Sequence, residues 1–216
     1  MPDPAPPALR ADARRNLDRI LIAAREVLAE RGMEATIDEV ARRAGVGHAT
    51  VYRRFPTKED LVVTVMERHL ARLLDVARAA AEEEDAWAGL RGAIEQAAAA
   101  QAEDRCFLDA VGHDVKGTQR VRERYMEILA AYGHLLRRAQ EAGQVRTDLE
   151  PEDLPFILYA AARSVPVPCG PPELWRRYLG VMLDGMRPEG ASGLTPRAPT
   201  LAELEASAPA EGAPAA

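Results

Sequence analysis

The stretch Thr36–Lys58, TIDEVARRAGVGHATVYRRFPTK, predicts two short helices joined by a glycine turn, and it constrains the fold more than any other part of the chain. Thr36 and Glu39 have the spacing of a capping box, in which the two residues satisfy each other's backbone amides at a helix start. The first helix is expected over residues 37–44. It would end at Gly45, because glycine adopts the left-handed backbone of a tight turn at little cost.

The second helix is predicted to end at Phe55 and is too short to be stable alone. We expect Val51 and Phe55 to hold it against the first helix. Pro56 disfavours helical geometry at the residue before it, so the helix stops there. Thr57 then caps a new helix that begins at Lys58. Together these features predict a helix-turn-helix.

The exposed positions of the second helix carry side chains that favour nucleic acid. No acidic residue stands between Gly47 and Lys58, which gives a local charge of +3 in a chain of net charge −6. Arginine and lysine reach phosphates or guanine edges, hydroxyl groups donate to phosphates, and alanine can lie against a thymine methyl. The alternative is that the arginines only solvate an ordinary helical hairpin. The predicted DNA contacts are His48, Ala49, Thr50, Tyr52, Arg53, Arg54 and Lys58.

The motif GVGHATVYRRFPTKEDL resembles the signature of TetR/AcrR-family transcriptional regulators, and the similarity extends back through ILIAAREVLAERGMEATIDEVARRAGV to the first helix. It is specific over about residues 14–61, and the rest is similar in length and helicity to SbtR-like C-terminal domains. The resemblance implies a homodimeric repressor with an N-terminal three-helix DNA-binding domain and a C-terminal effector-binding domain. It also places a phosphate contact at Lys58 and base or phosphate contacts at the other six residues just named. The chain departs from many members at Arg53 and Arg54, where they have an aromatic residue or histidine.

Composition favours an all-α fold, since only 5% of residues are aromatic and alanine abounds. We expect an N-terminal three-helix bundle containing the helix-turn-helix, followed by a larger helical domain for ligand binding and dimerisation. The expected boundaries are a disordered arm over 1–9, the DNA-binding domain over 10–57, the larger domain over 58–187 and a disordered tail over 188–216. No stretch has the character of a signal peptide or membrane helix, which predicts a cytoplasmic protein without a membrane partner.

Charge is distributed unevenly along the chain. Residues 1–60 carry eleven basic and ten acidic side chains, whereas residues 61–216 carry seventeen and twenty-four. Such polarity points one end of the molecule toward DNA and keeps the other away from it.

The helices expected over residues 58–83, 87–102 and 118–142 are predicted to wall a cavity for an unknown small-molecule effector. His69 lies on the apolar face of the first, where a histidine is more often a satisfied core residue than a ligand contact. Tyr125 and Tyr132 share one face and either line the cavity or pack in the core. The candidate pocket residues are Met66, His69, Leu73, Trp87, Ile94, Phe107, Tyr125 and Tyr132.

Two apolar helices that follow Pro151 and Pro172 carry more apolar surface than the core of one small subunit needs. We predict that they form a four-helix interface with a second copy, and the alternative is the interior of a larger monomer. The candidate interface residues are Leu158, Ala162, Trp175, Leu179, Met182 and Met186.

Signals of catalysis are absent from the sequence. Asp109, His113 and Asp114 lack a second histidine or cysteine at ligand spacing, and no phosphate loop, nucleophile motif or CxxC occurs. Cys106 and Cys169 are interpreted as small buried hydrophobes. We therefore predict no catalytic site, metal or cofactor.

The prediction is a homodimeric repressor that places two recognition helices on a pseudo-palindromic operator of double-stranded DNA and is released by its effector. The alternatives are a helical small-molecule-binding or enzymatic domain with an incidental hairpin, and an assembly adaptor.

Overall fold

The computed structural model describes residues 7–104, 107–108, 118–164, 173–189 and 191–206, and within these ranges the chain forms helices and their connections without a strand. The all-α fold is therefore confirmed. The helices are α1 (Pro7–Arg31), α2 (Ile37–Ala44), α3 (His48–Arg54), α4 (Lys58–Ala80), α5 (Ala86–Glu103), α6 (Gln119–Glu141), α7 (Leu154–Arg163), α8 (Trp175–Gly185) and α9 (Leu201–Ala206). Single 3-10 turns cover Gly32–Glu34 and Pro151–Asp153.

The start and end of α2 have the local geometry that the sequence predicts. Glu39 N–H donates to Thr36 Oγ1 at 3.3 Å, and Thr36 N–H donates to Glu39 Oε2 at 2.9 Å, which completes the capping box. Gly45 has φ +63° and ψ +39°, the left-handed conformation. Val46 N–H then donates to the Ala41 carbonyl at 3.1 Å, so the helix ends in a Schellman turn.

The first three helices form one N-terminal unit, in which α1 packs against α2 and α4, and α2 packs against α3. Charged side chains of α1 reinforce this packing. Arg43 of α2 donates to both carboxylate oxygens of Glu30, at 3.0 and 2.8 Å, and Arg19 donates to the Gly45 carbonyl at 3.2 Å. The C-terminal end of α2 is thereby fixed relative to α1.

Helix α4 belongs to both parts of the molecule. Its N-terminus is capped as predicted, since Asp60 N–H donates to Thr57 Oγ1 at 3.1 Å. It packs against α1 of the N-terminal unit and against α5 and α6 of the larger unit. The helix ends at Ala80, three residues before the predicted Glu83.

The larger unit is built by α4–α8, and α5 lies at its centre, against α4, α6, α7 and α8. Small side chains on α5, including Ala93 and Ala97, are fully buried and allow neighbouring helices to approach closely. Gly89 is required for this approach, because a Cβ atom there would lie 2.6 Å from the Ala80 carbonyl oxygen. None of the described helices has the length and apolar character of a membrane span.

Both terminal segments expected to be disordered contain helical residues. Helix α1 already begins at Pro7, and α9 occupies residues 201–206 of the expected tail. A second capping arrangement explains α9, since Thr200 N–H donates to Glu203 Oε2 at 2.7 Å and Glu203 N–H donates to Thr200 Oγ1 at 3.3 Å. The preceding segment contacts the larger unit, where Leu194 N–H donates to Asp148 Oδ2 at 3.1 Å. Residues 1–6 and 207–216 lie outside the described residues.

Most of the residues predicted for the dimer interface are already buried within the single chain. Leu158, Ala162, Trp175, Leu179 and Met186 are each 7% exposed or less within the single chain, and Met182 is partly buried. They are covered because α7 packs against α5 and α8. The large apolar residues that stay exposed on these two helices are Phe156, Tyr159, Tyr178 and Val181.

Candidate nucleic-acid interface

Helix α3 has one buried and one exposed side. Val51 is 0% exposed and Phe55, at its C-terminal end, is 3% exposed, and both belong to the hydrophobic core shared with α1 and α2. The opposite side presents polar and cationic groups to solvent. Of the predicted contact residues on α3, Thr50 is half-buried and the others are exposed: His48, Ala49, Tyr52, Arg53 and Arg54.

The arginines at the C-terminal end of α3 are available for binding. Neither Arg53 nor Arg54 contacts an acidic partner within the described ranges. A guanidinium that is exposed and not neutralised by its own chain can donate to phosphate oxygens or to guanine. The end of α3 therefore supplies two free positive charges on the surface that α3 exposes.

His48 is held in place by two neighbours. Its Nε2 lies 2.5 Å from Oδ1 of Asp38 in α2, and its ring lies 4.3 Å from the Tyr52 ring at an angle of 45°. Asp38 was not among the predicted contact residues, and nothing in its sequence context singles it out, because the pairing depends on how α2 and α3 pack. The carboxylate also places a negative charge beside the cationic surface.

Lys58 stands apart from the other predicted contacts. Its ammonium group is partly buried and donates to the Met33 carbonyl at 2.5 Å. This bond ties the start of α4 to the turn after α1. Since an ammonium group has three N–H donors, two remain for a phosphate.

A cleft of about 270 Å³ lies where α1 meets α4 and the end of α5. It includes His69 and Phe107 among the predicted pocket residues. Its other lining residues are Leu21, Ile22, Arg25, Val65, Arg68, Arg72, Glu103 and Asp104.

Asp104 forms the centre of a charged cluster beside this cleft. It follows the last residue of α5, and its side chain is 0% exposed. His69 Nδ1 lies 2.7 Å from Asp104 Oδ2, and the guanidinium groups of Arg25 and Arg72 donate to the same carboxylate. Burial raises the pKa of Asp104, but the hydrogen bonds from His69 and Arg25 and the nearby positive charges outweigh burial and lower that pKa to about 2. His69 is thus a satisfied core residue.

The remaining candidate pocket residues lie away from the lining of this cleft. Met66, Leu73 and Ile94 are buried in the core. The Tyr132 hydroxyl donates to the Ala93 carbonyl at 3.3 Å, and burial raises the pKa of Tyr132.

Two aromatic candidates are only partly buried. Burial, together with the charge of Glu152, raises the pKa of Tyr125. The Trp87 ring lies 4.8 Å from the guanidinium carbon of Arg187. Their role as effector contacts stays a prediction.

Several residues discussed from the sequence fall outside the described residues: Cys106, Asp109, His113, Asp114 and Cys169. Among the side chains that are described, no group of three or more histidine, cysteine, aspartate or glutamate residues could hold a metal ion.

Two family models match the chain. Residues 20–65 match the bacterial regulatory proteins of the tetR family, and residues 84–188 match the C-terminal domain of SbtR-like transcriptional regulators. The first match covers α2 and α3, and the second covers α5 to α8.

Curated relatives match part of the chain. The HTH-type transcriptional activator FasR of Mycolicibacterium smegmatis is 36% identical over 111 residues, which cover 50% of this chain and 45% of FasR. The matched stretch thus spans less than half the length of such curated relatives.

Solved structures match over most of the chain. The TetR transcriptional regulator SCO0520 from Streptomyces coelicolor has 30% identity and a TM-score of 0.63, with 80% of this chain and 99% of that chain covered. A TetR regulatory protein from Mycobacterium vanbaalenii has 35% identity and a TM-score of 0.61, with 83% and 99% covered.

Proposed function

Because the chain belongs to the TetR family of bacterial regulatory proteins, we propose that it is a sequence-specific DNA-binding regulator of transcription. The observation that carries this proposal is the two-sided character of α3. Val51 anchors the helix, while its other side exposes hydroxyl and guanidinium groups without an acidic residue between Gly47 and Lys58. Such a helix suits the major groove of DNA.

The proposed contact surface divides into two roles. Arg53, Arg54 and Tyr52 carry groups that favour phosphate oxygens, which fix the protein on DNA without reading sequence. Ala49 and Thr50 lie near the N-terminal end of α3, from which recognition helices contact base edges. These residues would discriminate between operator and unrelated DNA.

The proposed active form is a homodimer. The exposed residues Phe156, Tyr159, Tyr178 and Val181 give α7 and α8 an apolar surface outside the chain's own core. A two-fold arrangement of these helices would form a four-helix interface and place two copies of α3 on successive major grooves, about 34–36 Å apart. The operator would then be pseudo-palindromic.

The larger unit, residues 58–187, is proposed to bind a small-molecule effector. An effector that binds better to a conformation with widely separated recognition helices depletes the DNA-binding one. Tenfold release requires a difference of about 1.4 kcal/mol between its affinities for the two states. Repression is the proposed outcome. The relative FasR is instead named an activator.

The decisive test is selection of genomic DNA fragments by the purified protein, followed by titration of binding against salt. A regulator recovers a recurrent two-fold sequence and loses affinity steeply as salt rises, because phosphate contacts release counterions. A helical small-molecule-binding or enzymatic domain with an incidental hairpin would show no salt-dependent DNA affinity. A protein with this role acts in the cytoplasm, where bacterial DNA is found.

A further inference from the structure

We propose that Asp104 is a positioning residue that couples the larger helical unit to the DNA-binding unit, by holding α1 against α4 and the end of α5. This inference rests on the proposed function, because its effect is on how the two recognition helices of a dimer are placed. Asp104 would act through Arg25 and would not touch DNA.

The carboxylate of Asp104 joins three elements. It stands at the C-terminal end of α5, His69 and Arg72 reach it from α4, and Arg25 reaches it from α1. Arg25 is 79 residues away in sequence and belongs to the N-terminal unit. One buried side chain thus connects the effector-side helices with the first helix of the DNA-binding unit.

The position of α1 determines that of α3. Helix α1 holds α2 through the two bonds between Arg43 and Glu30 and through the bond from Arg19 to the Gly45 carbonyl. Helix α2 in turn packs against α3, and Val51 is fully buried in that contact. A displacement of Asp104 would therefore move α1, α2 and α3 together.

The surroundings of Asp104 permit such a displacement. The cleft of about 270 Å³ opens beside the cluster, and the side chains of Arg25 and Arg72 are 38% and 47% exposed toward solvent. Each guanidinium can replace its hydrogen bond to the carboxylate by one to water, whereas the fully buried carboxylate needs a partner within the protein. A shift at the end of α5 of about 1–2 Å is of the size that switches packed helical interfaces.

The competing explanation is that Asp104 only stabilises the fold. The dependence of DNA affinity on half-site spacing distinguishes this explanation from a positioning role. A residue that only stabilises the fold changes the folded fraction and leaves the preferred separation between the two half-sites unaltered. A positioning residue sets that separation. The primary variant is Arg25→Gln, because Arg25 is partly exposed and its loss leaves Asp104 with His69 and Arg72.

The experiment uses the full-length protein and the operator recovered by genomic selection, with the half-sites moved apart or together by single base pairs. Affinity for each spacing and for an isolated half-site is measured by fluorescence anisotropy. We expect the wild-type protein to prefer one spacing by about tenfold or more, and Arg25→Gln to reduce that preference to about threefold or less with half-site affinity unchanged. Arg25→Lys should restore part of the preference. Asp104→Asn combined with Arg25→Gln should be no less selective than Asp104→Asn alone.

The matched control is Arg91→Gln, which breaks the 2.8 Å ion pair between Arg91 and Glu95 on the surface of α5. Like Arg25→Gln, this variant removes an arginine from an ion pair, but Arg91 and Glu95 lie on the same helix and connect no two units. We therefore expect it to keep the wild-type spacing preference. A folded Arg25→Gln protein with wild-type spacing preference would overturn the role of Asp104 and leave DNA binding intact. Failure of the wild-type protein to bind any selected DNA would overturn the proposed function and this inference together.

Discussion

Asp38 and His48 lie on different helices of the predicted helix-turn-helix, with the carboxylate oxygen 2.5 Å from the imidazole nitrogen. This pair fixes the ring of a predicted DNA contact and adds a negative charge to the surface that would face phosphate. Both effects follow from how α2 packs against α3.

Asp38→Asn is expected to raise affinity for unrelated DNA by about threefold, because one repulsive charge is removed from the interface. The preference for operator should fall, because the His48 ring loses its anchor. Anisotropy titrations with operator and unrelated duplexes over a range of salt concentrations measure both quantities. Glu84→Gln, an equal charge change in the exposed acidic stretch before α5, should change neither. Equal effects of the two variants would show that only net charge matters.

Tyr52→Phe and Thr50→Ala should separate anchoring from sequence discrimination. Loss of the Tyr52 hydroxyl is expected to lower the affinity for operator and for unrelated DNA alike. The expected decrease is about fivefold, which corresponds to the net contribution of one hydrogen bond. Thr50→Ala should reduce the difference between the two DNAs. Gel-shift series with both variants provide the measurement. A Tyr52→Phe protein that lost sequence preference but kept non-specific binding would reverse these roles.

Asp104 is expected to make the free energy of unfolding depend on acid pH. Its pKa in the folded protein is about 2, below the ordinary 3.8. The Asp104 carboxylate therefore binds a proton more readily in the unfolded chain than in the folded one. Its contribution to the free energy of unfolding is complete above about pH 5 and is lost as pH falls toward 2. The amount is at most about 2 kcal/mol, since the partner arginines are partly exposed to solvent.

Urea unfolding between pH 7 and pH 2.5 tests this dependence. Asp104→Asn should be less stable than wild type at pH 7 but should lose less stability over the acid range. Asp75→Asn, which neutralises an exposed carboxylate on α4, serves as the control and should follow the wild-type curve. Parallel curves for wild type and Asp104→Asn would contradict the assignment.

Gly45→Ala and Gly92→Ala are expected to have opposite effects on stability. Gly45 has φ +63°, so alanine there should cost about 1–2 kcal/mol of unfolding free energy. Gly92 lies inside α5 with nothing within 4 Å of an added Cβ, so alanine should add about 0.5–1 kcal/mol. Thermal unfolding of both variants measures the difference. A neutral Gly45→Ala variant would show that the turn relaxes without cost.

Val181→Arg is expected to dissociate the proposed homodimer. Val181 is 68% exposed on α8, within the apolar surface that also includes Tyr159 and Tyr178. A buried, unpaired charge at the centre of an interface should weaken association by about 30-fold or more. Sedimentation over a concentration series measures the dissociation constant. Leu194→Arg changes an exposed apolar residue outside α7 and α8 and should not alter association; equal dissociation by both variants would argue against this interface.

Local signals predicted the N-terminal unit well because the deciding interactions are close in sequence. The pairs Thr36 with Glu39 and Thr57 with Asp60 act within one helical turn, and the conformation of Gly45 follows from its missing side chain. The same kind of signal, Thr200 with Glu203, was present before α9. The composition of the tail favours disorder and outweighs this local signal.

Interactions between distant segments could not be predicted. Arg25 and Asp104 are 79 residues apart, and His69 was ambiguous without its carboxylate partner. The spacing of apolar residues identifies the apolar faces of a helix, but it does not show which of these faces is covered by other helices of the same chain. For this reason the residues predicted for the interface include Leu179 and Met186, which the chain buries itself, and do not include Val181, which it leaves exposed.

Helix α4 is one uninterrupted rod that contributes side chains to both halves of the hydrophobic interior. Because α4 is continuous from one half to the other, few positions within it would tolerate a junction between two such proteins. A graft that adds or deletes one residue within α4 would rotate everything beyond it by about 100° about the helix axis. Chimeras that exchange the DNA-binding domains of two regulators should therefore fold correctly only when the junction within α4 keeps the number of residues unchanged.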